Sequence, residues 1–160
     1  MAGKATNFSQ GFLDLIFQAI VTGGSSLLNT TGFTLAANGG GTPATVLYVS
    51  LHTADPMLGG SPNSQAQSEA AYAGYARVSV VRTSAGWTLT NQTITNAAAI
   101  TFPIYTVGAG SPETETYFGI GLESSGATPL LYSGALTASL IVNPGETPSF
   151  AIGALSIVEG

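Results

Sequence analysis

The chain has 160 residues, of which 44% are hydrophobic and 7% charged, with a net charge of −5 and no cysteine. This length fits one domain with a hydrophobic core, and the apolar content excludes a disordered chain. The three basic residues are too few and too dispersed to neutralise phosphates, so nucleic acid is not an expected partner, and the lack of cysteine excludes disulfides and cysteine zinc sites.

The first predicted element is an amphipathic helix, because apolar side chains recur there at three- and four-residue spacing. Asn7 with Gln10 resembles a weak capping box, and Gly23-Gly24 ends the pattern. Residues 1–30 are therefore expected to form an N-terminal helix and arm. The recurring apolar residues are Phe8, Phe12, Leu15, Ile16, Ala19 and Ile20.

The same segment loosely resembles a secretory signal, since Lys4 precedes its apolar run. Asp14 and Gln18 interrupt that run, and no small-residue cleavage site follows it cleanly. The run is also shorter than the roughly 20 apolar residues that span a bilayer. We therefore expect neither a signal peptide nor a membrane partner.

Residues 31–160 have a β pattern, in which glycine- and serine-rich turns separate short runs of Val, Ile, Thr, Tyr and Phe. This spacing predicts a single mainly β domain, a sandwich or a barrel. In "NPGET", Pro144 and Gly145 suit the two central positions of a type II turn, which we interpret as a hairpin between the last two strands. The predicted strands are 33–37, 45–53, 75–83, 86–90, 92–103, 116–124, 129–137, 138–143 and 149–159.

The strand in "LYVSLHTADP" contains His52, the only histidine. Alternation places Leu47, Val49 and Leu51 on one face and His52 on the other, and Asp55-Pro56 ends the strand. A catalytic dyad would need a nucleophile or a metal beside His52. The chain has no second histidine, no cysteine and no Gly-x-Ser-x-Gly elbow, so we interpret His52 as a structural or interface hydrogen-bonding residue.

A long connection, residues 54–74, follows this strand. Compact domains favour connections of about 4–6 residues, and longer ones are usually functional or disordered. A rigid β domain that presents one long, polar, nearly uncharged loop suggests binding, not catalysis.

Two other features could have either a functional or a purely structural role. Glu113 and Glu115, with Glu123, are a weak match to a calcium or glycosidase-like site, and we interpret them as a solvated, acidic entry to a strand. Trp87 follows a glycine turn, where a core position is commoner than a sugar-stacking one. No metal, cofactor or catalytic residue is predicted.

The residues also carry a resemblance, in the ordered series "LYVSLHTADP", "EAAYAGYARVSVVRTSAGWTLT", "NAAAITFP", "YFGIG" and "LLYSGALTASLIVNPGETPSFAIGALSI". From about Thr45 to Val158 the chain resembles a family of small tailed-bacteriophage virion proteins, commonly labelled tail-fibre-like, some of which serve as capsid cement. The resemblance implies a jelly-roll-like antiparallel β-sandwich with one N-terminal α-helix, oligomerisation, and a structural place in the virion without enzyme activity. The longer start between Gly23 and Pro43 departs from the family.

Two functions then compete. A capsid cement or decoration protein binds across major capsid subunits and stabilises the expanded head, whereas a tail-fibre or receptor-binding module recognises host surface glycans or proteins. The small single domain, the low charge and the absence of fibre-like repeats favour cement. The expected location is the capsid surface of a virion assembled in the host cytoplasm.

The expected partners are the major capsid protein and further copies of this chain. Uncharged strand edges and a wide apolar helix face predict a homo-oligomer, a dimer or a trimer. We expect the contacts to come from the helix and the long connection, with two tyrosines as aromatic anchors. The candidate partner-binding residues are Phe8, Phe12, Met57, Leu58, Tyr72 and Tyr75.

Overall fold

The computed structural model describes residues 6–18, 44–58, 64–106 and 110–160. One helix, α1, is followed directly by a π-helical turn at Asp14–Gln18, and no helix among the described residues is long and apolar enough to cross a membrane. The predicted strand 33–37 lies outside the described residues. The elements are α1 (Thr6–Leu13), β1 (Val46–His52), β2 (Val78–Val81), β3 (Trp87–Thr90), β4 (Thr93–Asn96), β5 (Ile100–Thr101), β6 (Glu113–Gly121), β7 (Leu130–Val142), β8 (Ser149–Phe150) and β9 (Ser156–Val158).

These strands form antiparallel sheets, which confirms the prediction of a mainly β fold with one short N-terminal helix. A four-stranded sheet has the order β2-β1-β6-β7, a three-stranded sheet the order β3-β4-β9, and β5 pairs with β8. The chain divides into two compact units. The first comprises Met1–Val46, Val81–Ile100 and Phe150–Gly160, and the second comprises Leu47–Val80 and Thr101–Ser149.

Strand β1 lies in the middle of the four-stranded sheet, where it pairs with β6 from Tyr48 opposite Gly121 to His52 opposite Tyr117. The predicted apolar face of Leu47, Val49 and Leu51 has no exposed surface. Ser50 and His52, on the opposite face, are equally inaccessible. Since both faces are covered, the polar residues of β1 need hydrogen-bond partners inside the second unit.

Strand β7 differs from the prediction, because the segments 129–137 and 138–143 form one 13-residue strand. The register shows why the sequence appeared to contain two. Tyr117 of β6 lies opposite Ala135, whereas Glu115 lies opposite Leu140, so β7 advances five residues where β6 advances two. This bulge accommodates residues 136–139, which include the small or polar Thr137, Ala138 and Ser139, without ending the strand.

The turn at 143–146 has the predicted type. Gly145 has a φ of 92°, and the backbone N–H of Glu146 donates to the carbonyl oxygen of Asn143 at 2.9 Å. Its predicted role as a hairpin is wrong, because β7 pairs with β6 and the next strand, β8, pairs with β5. The turn therefore transfers the chain from one sheet to another.

In the first unit, the side chain of Trp87 is fully buried and meets the ring of Phe17 edge to face, with centroids 4.7 Å apart. The core interpretation of Trp87 is therefore correct. The π-helical turn also buries Leu15 and Ile16, which are 5% and 3% exposed.

Arg82 joins this helical segment to the chain before β1. Its guanidinium donates to the carbonyl oxygens of Ile16 at 2.7 Å, Leu15 at 2.6 Å and Ala44 at 2.5 Å, and the residue is 4% exposed. Burial lowers the pKa of Arg82 from its usual range. A cation at the carbonyl end of a helix is favoured by the helix dipole, so Arg82 both compensates and fixes that end.

We expect Arg82→Met to lower the free energy of unfolding by about 3 kcal/mol, because it leaves three buried carbonyl oxygens without their donor. Arg82→Lys should recover part of the loss, since a lysine can bind fewer carbonyls at once. Urea unfolding followed by circular dichroism measures both. Thr88→Ala, at an exposed position of β3, is the control and should stay within about 0.5 kcal/mol of the parent. A loss from Arg82→Met as small as this would contradict the assignment.

Candidate functional site

His52 is held by two hydrogen bonds within the second unit. Its Nδ1 lies 2.8 Å from the carbonyl oxygen of Gln67, which can only accept, so Nδ1 carries the proton. The Ser50 hydroxyl then donates to Nε2, at 2.8 Å. Burial lowers the pKa of His52, which keeps the ring neutral at pH 7. The serine and histidine pair has no exposed surface to offer a substrate, and His52 has the structural hydrogen-bonding role expected from the sequence.

Arg77 is the centre of the polar interior of this unit. Its Nε donates to Glu69 Oε1 at 2.6 Å and its Nη2 to Glu69 Oε2 at 2.7 Å, which is a bidentate ion pair. The same guanidinium donates to the carbonyl oxygens of Glu123 at 3.0 Å and Gly126 at 2.8 Å. Arg77 thereby ties the long connection to the loop between β6 and β7.

Gln65 links Arg77 to β1. Its Oε1 accepts from Arg77 Nη1 at 3.2 Å, and its Nε2 donates to the carbonyl oxygen of Tyr48 at 2.8 Å and to Ser50 Oγ at 3.1 Å. Gly121 makes room for this amide, since a Cβ there would overlap Gln65 Oε1. The network of Arg77, Glu69, Gln65, Ser50 and His52, which we call the Arg77 network, thus runs through hydrogen bonds from the loops to the buried face of β1.

The long connection is therefore not a freely projecting loop over residues 64–74. The N–H of Thr53 donates to the carbonyl oxygen of Ser68 at 2.8 Å, and the N–H of Ala70 donates to that of Leu51 at 2.9 Å. These bonds align the segment with the end of β1, beside the Arg77 network. Residues 59–63 lie outside the described residues.

The two tyrosines predicted as partner-binding anchors lie in this packed segment. Tyr72 is 4% exposed and donates to the carbonyl oxygen of Pro103 at 3.1 Å. Tyr75 donates to Glu69 Oε1 at 3.0 Å and accepts from the N–H of Leu51 at 3.1 Å. Burial raises the pKa of both, that of Tyr72 to about 12. The hydroxyls of both tyrosines form hydrogen bonds within the second unit. Because Tyr72 is also buried, it has little surface left for a partner.

Met57 and Leu58 are placed differently. They end the described part of a turn in which Asp55 accepts a hydrogen bond from the N–H of Met57 at 2.9 Å. Their exposed fractions are 46% and 69%. Two neighbouring aliphatic side chains are thus presented to solvent on the connection that the Arg77 network anchors.

The helix candidates belong to the first unit. Phe8 is 38% exposed, and its ring stacks on that of Phe12 with centroids 6.4 Å apart and planes 9° apart. The six predicted contact residues are divided between the two units. Met57, Leu58, Tyr72 and Tyr75 lie in the second unit, where Tyr72 is buried, and Phe8 and Phe12 lie in the first. Their partner-binding roles stay predictions.

Glu115 corrects the interpretation of the acidic strand entry. The side chain has no exposed surface, and neither carboxylate oxygen has a hydrogen-bond partner among the described residues. Burial, reinforced by the charge of Glu113, raises the pKa of Glu115 to about 7. No group of three or more His, Cys, Asp or Glu side chains in the described ranges could hold a metal ion.

The sequence analysis missed the Arg77 network. A signal was present, because Arg77 is one of three basic residues in the chain and lies in a predicted strand. If that strand is buried, the charge of Arg77 needs a partner. The glycine pair Gly119 and Gly121 was a second signal, since a Cβ at either would collide with side chains of the network.

The fold defines the chain as a small antiparallel β protein with a short N-terminal helix. A family model described as podophage GP4 fiber I protein gp80 matches residues 26–158. The match covers most of the chain, which therefore belongs to this family and is a structural protein of a tailed-phage virion. The resemblance to tailed-bacteriophage virion proteins is therefore confirmed. No protein with a curated description matches the chain.

Removing either partner of the Arg77–Glu69 ion pair should lower the free energy of unfolding. Removing one partner of a buried ion pair costs about 3–5 kcal/mol, because the other charge is left without compensation. We expect Arg77→Met and Glu69→Gln each to fall in this range, and the double variant to lose clearly less than the sum. Urea unfolding of the four proteins gives the coupling energy. Strictly additive losses would show that the two side chains act independently.

The stability of the protein should also depend on the protonation of Glu115. Its folded pKa of about 7 exceeds the unfolded value of roughly 4.3, so the native state binds the proton more tightly. This contribution to stability is complete below the unfolded pKa and is lost as pH rises through about 7. Glu115→Gln cannot ionise, so it should reduce the fall in unfolding free energy between pH 5 and pH 8.

Glu146→Gln is the matched control, because the pKa of Glu146 is lowered by hydrogen bonds from Asn143 and its contribution changes only at acid pH. Urea midpoints measured across this range compare the three proteins. An identical pH slope in the parent and in Glu115→Gln would contradict the prediction.

Proposed function

We propose that this virion protein is a capsid cement protein without enzyme activity, which binds across major capsid subunits and stabilises the expanded head. The observation that carries the proposal is the exposed aliphatic pair Met57 and Leu58 on an anchored connection. Aliphatic side chains on a rigid base suit binding, because less conformational freedom is lost when they contact a partner.

The anchoring has a clear physical basis. The backbone bonds of Thr53 to Ser68 and of Ala70 to Leu51 attach the connection to the end of β1. Glu69 of the connection also accepts two hydrogen bonds from the guanidinium of Arg77. The connection is thus fixed at Thr53 and over residues 64–74 by backbone hydrogen bonds and by the Arg77–Glu69 ion pair, and Met57 and Leu58 lie between these two anchored parts in the sequence. A contact surface of this kind is prepared before it meets its partner.

Cement activity needs no single strong site. In an assembled shell, each further contact forms at the high effective concentration that earlier contacts create. Weak aliphatic contacts repeated by the symmetry of the shell then suffice for full occupancy. The low charge of the chain is consistent with such binding, since 7% charged residues leave little electrostatic repulsion or steering.

A second candidate is a component of a tail fibre that recognises host surface glycans or proteins. The observation that favours it is the match to the family of a podophage fiber protein. In that role the same exposed pair would contact another fibre protein or a host molecule. Copy number separates the candidates, since a cement protein approaches the abundance of the major capsid protein in purified virions and a fibre protein is present in few copies.

Leu58→Ser should reduce binding to expanded capsids by about tenfold or more, the effect of losing one apolar hot-spot contact of roughly 1.4 kcal/mol. Ile152→Ser is the matched control, because Ile152 is 70% exposed and Leu58 69%. Binding is measured by co-sedimentation of purified protein with expanded capsids. Point substitution is preferable to deletion of the connection, which would also remove Gln65 and Glu69 from the Arg77 network.

Two outcomes would overturn the cement role. One is equal binding by Leu58→Ser and the parent, with the Ile152 control unchanged. The other is a virion copy number far below that of the major capsid protein, which would support the fibre role.

A further inference from the structure

A small cleft opens beside the Arg77 network on the second unit, and we call it the Glu69 cleft. It has a volume of about 230 Å³ and is lined by residues 69–70, 75–77 and 124–126. Residues 124–126 are exposed, so the cleft is reached from solvent. Pockets for drug-sized ligands begin at roughly 300 Å³, so this smaller cleft suits a ligand the size of a single ring.

Arg77 lines the cleft but has no hydrogen-bond donor left for a ligand. Each nitrogen of its guanidinium has at least as many protein acceptors as it has N–H groups, and the side chain is 1% exposed. The acceptors are oxygen atoms of Gln65, Glu69, Glu123, Gly126 and Thr128. An anionic ligand would therefore find neither a donor nor an exposed positive charge at Arg77.

Glu69 offers the cleft an acceptor whose charge is already compensated. Its Oε1 accepts from Arg77 Nε and from the Tyr75 hydroxyl, whereas its Oε2 accepts from Arg77 Nη2. A carboxylate oxygen can accept two hydrogen bonds, so Oε2 keeps one acceptor position, and the Glu69 side chain is 17% exposed. Because the guanidinium neutralises this carboxylate, a cationic ligand gains little from net charge there.

The rest of the lining combines hydroxyl groups with apolar surface. Ser124 and Ser125 are exposed, and their hydroxyls can each donate and accept. Tyr75 is half-buried and Ala76 is exposed, so an aromatic ring and a methyl group lie in the same cleft. A matching ligand is uncharged, carries several hydroxyls and has an apolar face for the aromatic ring.

We propose that the Glu69 cleft binds a neutral hexopyranose unit of a glycan. One ring hydroxyl donates to Glu69 Oε2, others exchange hydrogen bonds with Ser124 and Ser125, and the C–H groups of the ring contact Tyr75. The Arg77–Glu69 ion pair holds this acceptor in place before the sugar arrives, which reduces the cost of binding. The exposed pair Met57 and Leu58 does not line the cleft, so the proposal does not rest on the cement role.

Titration of the full chain with single sugars, followed by saturation-transfer NMR of the sugar, tests the proposal. The probes are D-glucose, D-galactose, D-mannose and N-acetyl-D-glucosamine. At least one of them should bind saturably with a Kd on the order of 1 mM or below. The 6-phosphate of the same sugar should bind no more tightly, because the cleft offers its anion no donor from Arg77.

Ala76→Leu should weaken sugar binding by about tenfold or more, because the larger side chain fills the cleft. Ala85→Leu is the matched control, at an exposed position of the first unit, and should leave the Kd within about twofold of the parent. The double variant Ser124→Ala with Ser125→Ala should weaken binding about fivefold, the scale of a lost hydrogen bond. It leaves Arg77 and Glu69 untouched, so it decides the matter if Ala76→Leu fails to fold by circular dichroism.

Three results would overturn the proposal. They are no saturable binding of any of the four sugars, tighter binding of the 6-phosphate than of the neutral sugar, and unchanged binding by a folded Ala76→Leu variant. Capsid binding by Leu58→Ser is measured separately, so failure of the sugar site and failure of the cement role give different results.

Discussion

The second unit depends on the compensation of one buried positive charge. The Arg77 side chain is 1% exposed, and an unpaired guanidinium at that depth would be strongly destabilising. Glu69 supplies the countercharge in a bidentate geometry, and the carbonyl oxygens of Glu123 and Gly126 take up further N–H groups. Because these partners lie on separate loops, satisfying the charge fixes both loops against β1.

Both described arginines follow the same logic. Arg82 does in the first unit what Arg77 does in the second, except that its partners are three backbone carbonyl oxygens at the end of a helical segment and not a carboxylate. With two of the three basic side chains directed inward, little positive charge remains for the surface. An outer surface of hydroxyls, amides and small apolar groups is the physical consequence, and such a surface is better suited to assembly than to steering charged ligands.

The sequence predicted what depends on local periodicity. Alternation identified β1 and its apolar face, the type II turn followed from the residues at 144 and 145, and the position of Trp87 after a glycine turn indicated a core residue. It could not predict features that depend on which residues meet in space. Arg77 donates hydrogen bonds to residues up to 51 positions away, the farthest being Thr128, and no short-range pattern encodes that meeting. The prediction of a hairpin at 143–146 was wrong for a related reason. The residues of a turn determine its backbone conformation, but they do not determine which sheets the flanking strands join.

Glu115 shows the limit of period-two reasoning. Alternation correctly places Glu113 and Glu115 on one side of β6, but it cannot say how deeply each is covered. Glu113 reaches the N–H of Ala71, whereas Glu115 is enclosed with no hydrogen-bond partner among the described residues. A carboxyl in that position is more stable protonated, so the strand tolerates it best in mildly acid solution. At higher pH the same residue becomes a buried charge beside a second carboxylate. Two acidic side chains therefore affect the stability of this unit in opposite ways: ionised Glu69 compensates a buried cation, whereas Glu115 is disfavoured when it ionises.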